Sequence, residues 1–157
     1  MKIKLIVVGK TNTAYLKTGE NEYENRLKHY CNVEEIIIND VKNGSKLSEK
    51  ELKIKEGDLI LKKIDSIDKV VLLDNNGEIY SSNEFSNFLK ENMLHSTKSL
   101  VFIIGGAYGF SDKVYKRGNN KLSLSKMTFS HQMVRLIFKE QLYRAFTIIK
   151  REKYHHE

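Results

Sequence analysis

The chain has 157 residues, no proline and a single cysteine. With no proline there is no proline-rich linker between modules, and there is no internal repeat or low-complexity tract either. Residues 1–157 therefore read as one domain, long enough to bury a core. The lone Cys31 cannot form an internal disulfide and has no CxxC partner. It is expected to be a buried structural thiol in a cytoplasmic protein. No apolar run approaches the ~20 residues needed to span a bilayer. Met1-Lys2-Ile3-Lys4 leads into a strand-like run too short for the apolar region of a signal peptide.

Several chemical signatures are missing as well. Gly105 to Phe110 reads GGAYGF, which lacks the GxGxxG spacing of a dinucleotide fingerprint and the GK[ST] of a phosphate-binding loop. No cysteine and histidine cluster has zinc-ligand spacing, and His155-His156 reads as a solvated pair, so no metal is expected. Ser123 and Ser125 lack the G-x-S-x-G context of a hydrolase nucleophile.

What is present is a charge asymmetry. The chain carries 27 Lys+Arg against 20 Asp+Glu, a net charge of +7. Residues 1–106 hold 16 of each sign, so residues 107–157 hold 11 basic and 4 acidic residues and all of the excess. Segregation of this kind favours a polyanionic partner, RNA or DNA first, against the plainer reading of scattered surface lysines.

Hydrophobic periodicity alternates strands with helices. Strands are predicted at Lys4 to Val8, Val33 to Ile38, Lys69 to Leu73, Leu100 to Ile104 and Lys121 to Ser125. Helices are predicted at Ala14 to Tyr30, from Ser48 to about Ile64, after Ser81, at Ser111 to Tyr115, and from Ser130 to about Lys150. Ser48 with Glu51 and Ser81 with Glu84 have the form of capping boxes. Asp74-Asn75-Asn76-Gly77 is a turn signal. Continuous apolar strands between helices imply an α/β fold, a parallel sheet with helices on both faces. Ligands of such sheets sit beyond the carboxyl ends of the strands, so Leu73-Asp74, Gly105-Gly106 and Ser125-Lys126 become candidate site positions.

The run IIGGAYGF, the segments LSLSKMTFSHQMVR and EQLYRAF, and the ending YHHE together resemble the RlmH family. These are SPOUT-class methyltransferases that modify N3 of a pseudouridine in 23S ribosomal RNA of the large subunit. The resemblance spans the whole chain. It implies a SPOUT fold with a deep trefoil knot in the C-terminal part, about residues 70–157, and a homodimer. It further implies S-adenosyl-L-methionine as methyl donor, held by Leu73, Gly105 and the loop Leu124, Ser125, Lys126, Met127, Thr128 and Phe129. Ser130 stands where the family commonly has proline; a serine can cap the following helix instead.

Methylation at N3 needs the imide proton to leave, so a general base or groups that stabilise the imidate are expected. His131, Arg135, Glu140, Arg144 and His155 are the available polar groups, and the sequence does not single out the base. Glu140 and Arg144, four apart on one helix, could equally just pair with each other. Lys113, Lys116, Arg117 and Lys121 are expected to contact phosphates. The alternative is a non-catalytic RNA-binding or ribosome-associated module using the basic C-terminal third. A nucleoside-sized pocket at the GG turn and SKMTF loop discriminates between the two, because a pure binding module needs none.

Overall fold

In a computed structural model of the chain, residues 1–156 are described. Five strands form one all-parallel sheet: β1 (Lys2–Val8), β2 (Val33–Ile38), β3 (Asp68–Ile79), β4 (Ser99–Ile104) and β5 (Asn120–Ser123), in the spatial order β2-β1-β4-β3-β5. Parallel neighbours need crossover connections. Those are supplied by α1 (Ala14–Leu27), α2 (Glu49–Leu61), α3 (Ser82–Leu94) and α4 (Asp112–Arg117), while α5 (Met133–Ile149) follows the last strand.

The sheet is buried on both faces because its strands are apolar at nearly every position. Ile3, Leu5 and Val7 of β1 and Leu100, Phe102 and Ile104 of β4 face the layer of α1, α3 and α5. Ile6, Val8, Val101 and Ile103, together with Val70 and Leu72 of β3, face α2 and α4. Both predicted capping boxes are present: the side chains of Ser48 and Ser81 accept from the backbone N–H of Glu51 and Glu84, whose carboxylates accept in return. Each fixes where its helix begins, and therefore how its apolar stripe meets the sheet.

The longest departure from the predicted elements is in β3. The turn signal at Asp74–Gly77 does not end the strand, which continues to Ile79. Leu73 and Glu78 both pair with Leu122 of β5, so residues 74–77 are extruded as a bulge between two stretches of one ladder.

The helix α5 lies between α1 and α3. Its apolar residues extend around much of its surface because three neighbours use them: Phe138 and Leu142 belong to the sheet core and Leu136 packs on Gly19 of α1. Two cations are buried with it. Arg135, 1% exposed, donates from Nη1 to the Gly9 carbonyl at 2.9 Å and from Nη2 to the Val8 carbonyl, closing the carboxyl end of β1. Lys139, 2% exposed, sits 2.5 Å from carboxylate oxygens of Glu20, Glu24 and Glu35. Burial alone would lower the pKa of its ammonium, but the hydrogen bonds to those carboxylates outweigh burial and raise it. Cys31, expected to be buried, is half-buried at the edge of the core, and desolvation pushes its thiol up to about 11.

Removing Lys139 leaves three converging carboxylates, one of them in the buried Glu20, without the ammonium that touches all three, and only the field of nearby Arg135 remains on Glu20 and Glu35. Lys139→Ala is expected to lower stability by about 3–5 kcal/mol, as for other broken buried ion pairs. Urea unfolding checks this; a loss under about 1 kcal/mol would show that water reaches the carboxylates freely.

Candidate active site

The carboxyl ends of β3, β4 and β5 enclose a cleft of about 530 Å3. One wall is the bulge after Leu73, contributing Asp74, Asn75 and Asn76. A second is the turn from Gly105 to Phe110, and a third is the loop that follows β5 together with Ser130, His131 and Val134 at the start of α5.

Local bonds hold each wall. In the bulge, the Asp74 carboxylate accepts from the Asn76 backbone N–H at 2.8 Å and from the Tyr115 hydroxyl at 2.5 Å, tying β3 to α4. Burial, reinforced by that carboxylate, pushes the Tyr115 phenol up to about 12. Asn75 donates to the Thr128 hydroxyl at 3.4 Å, joining the bulge to the third wall. In that wall the Ser123 hydroxyl donates to the Ser125 carbonyl at 2.9 Å, and the Ser125 hydroxyl accepts from the Met127 N–H at 2.9 Å. Ser130 caps the entry to α5: its hydroxyl accepts from the Met133 N–H at 3.2 Å, the capping role expected of it. Two residues on, Gln132 accepts from the backbone N–H groups of Asn12 and Thr13, pinning the loop before α1 to the same corner.

One glycine is required by close approach, and a second sits where a side chain would be tight. A Cβ on Gly77 would stand 2.6 Å from backbone atoms of Leu122, so only glycine lets the end of the bulge rejoin β5. A Cβ on Gly105 would stand 3.0 Å from the ring of Phe110, a buried residue that floors the turn.

The predicted donor-binding positions converge. Leu73, Gly105 and every residue of 124–129 except Lys126 line the cleft, although they come from three separate stretches. Lys126 is exposed outside it. Of the five polar groups proposed for chemistry, only His131 lines the cleft. Arg135 points away from it, into the bonds with Val8 and Gly9. Glu140, Arg144 and His155 form a separate cluster further along α5. Glu140 accepts from Arg144 Nη2 at 2.6 Å and from the Tyr154 hydroxyl at 3.2 Å, and Arg144 Nη1 lies 3.2 Å from His155 Nδ1. The tail packs on α5 and α1: the Tyr154 ring meets Tyr143 edge-on at 4.7 Å and its hydroxyl lies 3.2 Å from that of Tyr23.

The basic stretch is divided too. Arg117 donates to the carbonyls of Asp65 and Asp68 at 2.8 Å each, which makes it a tie between α4 and the start of β3 and no longer a free phosphate contact. Lys113, Lys116 and Lys121 remain exposed. Sequence reasoning missed Asn75, Asn76, Tyr108 and Val134 as lining residues. For the asparagines the turn signal was visible; that the turn would be extruded into the cleft was not.

A family model described as "Predicted SPOUT methyltransferase" matches residues 1–155. The chain belongs to the SPOUT methyltransferase family. It is similar over all 157 residues, and over the whole of each relative, to the proteins named Ribosomal RNA large subunit methyltransferase H of Parabacteroides distasonis and Flavobacterium psychrophilum, at 55% identity to each. The protein of the same name from Christiangramia forsetii is 54% identical over 156 residues, 99% of each chain. In this methyltransferase the five-stranded parallel sheet and the cleft at its strand ends follow from the same alternation that the sequence displays. Among the described residues no helix is long and apolar enough to cross a membrane.

The bulge is the wall most easily tested. Gly77→Ala is expected to force β5 away from β3 and lower stability by about 2 kcal/mol, the scale of overpacking in a core. Thermal unfolding measures it; an unchanged midpoint would mean that the strand relaxes around the methyl group.

Proposed function

We propose that this methyltransferase transfers a methyl group from S-adenosylmethionine to N3 of a pseudouridine in 23S ribosomal RNA, within the large subunit or whole ribosome. The observation that carries the reading is the convergence of Leu73, Gly105 and the loop after β5 on one cleft. The cleft suits a nucleoside. Its volume lies in the range of small-molecule sites, its walls are leucine and isoleucine side chains beside backbone-rich turns, and Gly105 leaves the backbone bare. A module that only gripped RNA would have no need of such an enclosure, which disfavours the non-catalytic alternative. The names of the relatives point to the same substrate class.

When bound, the donor would supply a methyl group already activated by its sulfonium, so the protein's chief work is positioning. Leu73 and Leu124 would wall the adenosine, and the carbonyls and N–H groups of the turn and loop would orient it. His131 stands at the rim of the same cleft. The Glu140–Arg144–His155 cluster does not. Ten residues of helix separate Val134 in the cleft from Arg144, about 15 Å at 1.5 Å per residue. If Arg144 and His155 act on the substrate base, they do so from a second copy of the chain, which favours a homodimer whose partner completes the substrate surface. The broad apolar surface of α5 does not itself call for a partner, because α1, α3 and the sheet cover it within one subunit. The half-buried Phe129, the 77% exposed Met127 and the 49% exposed Tyr108 surround the cleft mouth and fit a surface covered on assembly.

Calorimetric titration with S-adenosylmethionine tests the cofactor. One site per chain is expected, and Gly105→Val, which drives the Phe110 ring or the turn into the cleft, should weaken binding at least about tenfold, or 1.4 kcal/mol. Wild-type affinity in that variant would put the pocket elsewhere. Substrate roles separate in single-turnover transfer to ribosomes alongside equilibrium binding. Lys116→Ala should weaken binding and lower its salt slope by about one. Arg144→Ala and His155→Ala should lower the saturated rate more than affinity, because imidate charge appears only as the proton leaves. Loss of binding at full rate would reassign Arg144 to positioning.

A further inference from the structure

The cleft is unlike the rest of the surface in its charge. In a chain of net charge +7, no lysine or arginine among the described residues lines it, and Asp74 is the one carboxylate among them that does. A second carboxylate stands directly behind the wall. Glu56, on the inner face of α2, is 8% exposed. Its side chain rests on Gly106, a lining residue: a Cβ placed there would lie 2.6 Å and 2.8 Å from the two carboxylate oxygens. The neighbouring Gly57 is equally close-packed, with a Cβ there falling 2.3 Å from the Ser111 hydroxyl. The helix is thus held hard against the turn, and a single residue without a side chain separates Glu56 from the cavity.

Glu56 forms no ion pair among the described residues. Burial raises its pKa first, and the like charge of Asp40 raises it further. A buried acid without a cationic partner opposes folding unless something else uses it. Here its field opens, through Gly106, onto a cleft of mixed polar and apolar lining, and across the intervening protein charges act at a lower effective dielectric than in water. A cation entering the cleft would meet Asp74 on one wall and Glu56 behind another.

The donor and its product differ by that charge. S-adenosylmethionine bears a sulfonium cation; after transfer the carbon–sulfur bond has broken, its electron pair stays on sulfur, and S-adenosylhomocysteine is left as a neutral thioether. We propose that Asp74 and the buried Glu56 make this cleft select the sulfonium donor over its demethylated product, so that negative charge at and behind the wall assists product release. The proposal rests on the cofactor assignment above. It concerns discrimination between two ligands that share every other contact.

The test is calorimetric affinity for S-adenosylmethionine and S-adenosylhomocysteine in the wild type, Glu56→Gln and Asp74→Asn, with a melting curve for each variant. Glu56→Gln keeps the volume and removes the charge. It is expected to weaken donor binding at least about tenfold, since one charge at an effective dielectric near 20 is worth about 1.4 kcal/mol even across about 12 Å, and to leave product binding within about twofold. Asp74→Asn should shift the donor-to-product ratio in the same direction. An equal change for both ligands, or an unchanged ratio in both variants, would overturn the proposal and leave Glu56 as a support for the turn alone. A wild type that binds neither ligand would instead overturn the cofactor assignment, and the selectivity with it.

Discussion

Two buried cations on α5 fix the arrangement that everything else uses. Arg135 closes the carboxyl end of β1 by donating to Val8 and Gly9, and Lys139 draws together carboxylates from α1 and β2. Neither could be replaced by an apolar residue without stranding its partners: open strand-end carbonyls in one case, three carboxylates in the other. With both in place, the helix can lie in only one rotation and one register between α1 and α3. Its first turn then delivers Val134, with His131 just ahead of it, to the cleft, and its later turns present Glu140 and Arg144 elsewhere.

These cations also show where sequence reasoning reached its limit. Strands, helices and both capping boxes were legible because each follows from local spacing: apolar runs, or a serine three residues before a glutamate. The strand-end positions of the cleft were legible because parallel sheets place ligands there, and the family resemblance named the same residues. Arg135 was drawn into the chemistry because a charged residue on an apolar helix suggests function. Its actual partners lie more than a hundred residues away, and no local pattern announces them. Lys139, one residue before Glu140, was passed over for the same reason. Arg117 illustrates the converse, since a basic residue in a basic stretch reads as surface until the carbonyls of Asp65 and Asp68 are seen beneath it.

The extruded turn at Asp74–Gly77 is a subtler case. Its residue types do make a turn, as the sequence indicates, but two-sided pairing with Leu122 decides that the chain resumes the same strand afterwards. The bulge therefore projects beyond the ladder and becomes a wall, and the tight contact of Gly77 with Leu122 is what holds it out. The tail is comparable. Tyr154 and His155 lie on α5 through Tyr143, Glu140 and Arg144, so the C-terminal residues form part of a defined surface, distinct from the cleft of their own subunit.

The distribution of charge connects these elements to the work proposed for the protein. A polyanionic substrate and a cationic methyl donor must approach the same place, and a single uniform potential would serve only one of them. The basic excess lies on the outside, in exposed lysines such as Lys113, Lys116 and Lys121 near α4. Among the described residues the cavity is lined by no lysine or arginine, Asp74 lines it, and the buried Glu56 stands behind its wall. A lysine inside the cleft would invite phosphate into it, competing with the donor for space and opposing its charge. On the proposed reading, cations kept at the surface hold an RNA backbone outside, while Asp74 in the cleft and Glu56 behind it favour the donor. The two potentials are kept apart by only a few residues of wall, and that wall is thinnest at Gly106, which lines the cleft on one side and carries the Glu56 carboxylate on the other.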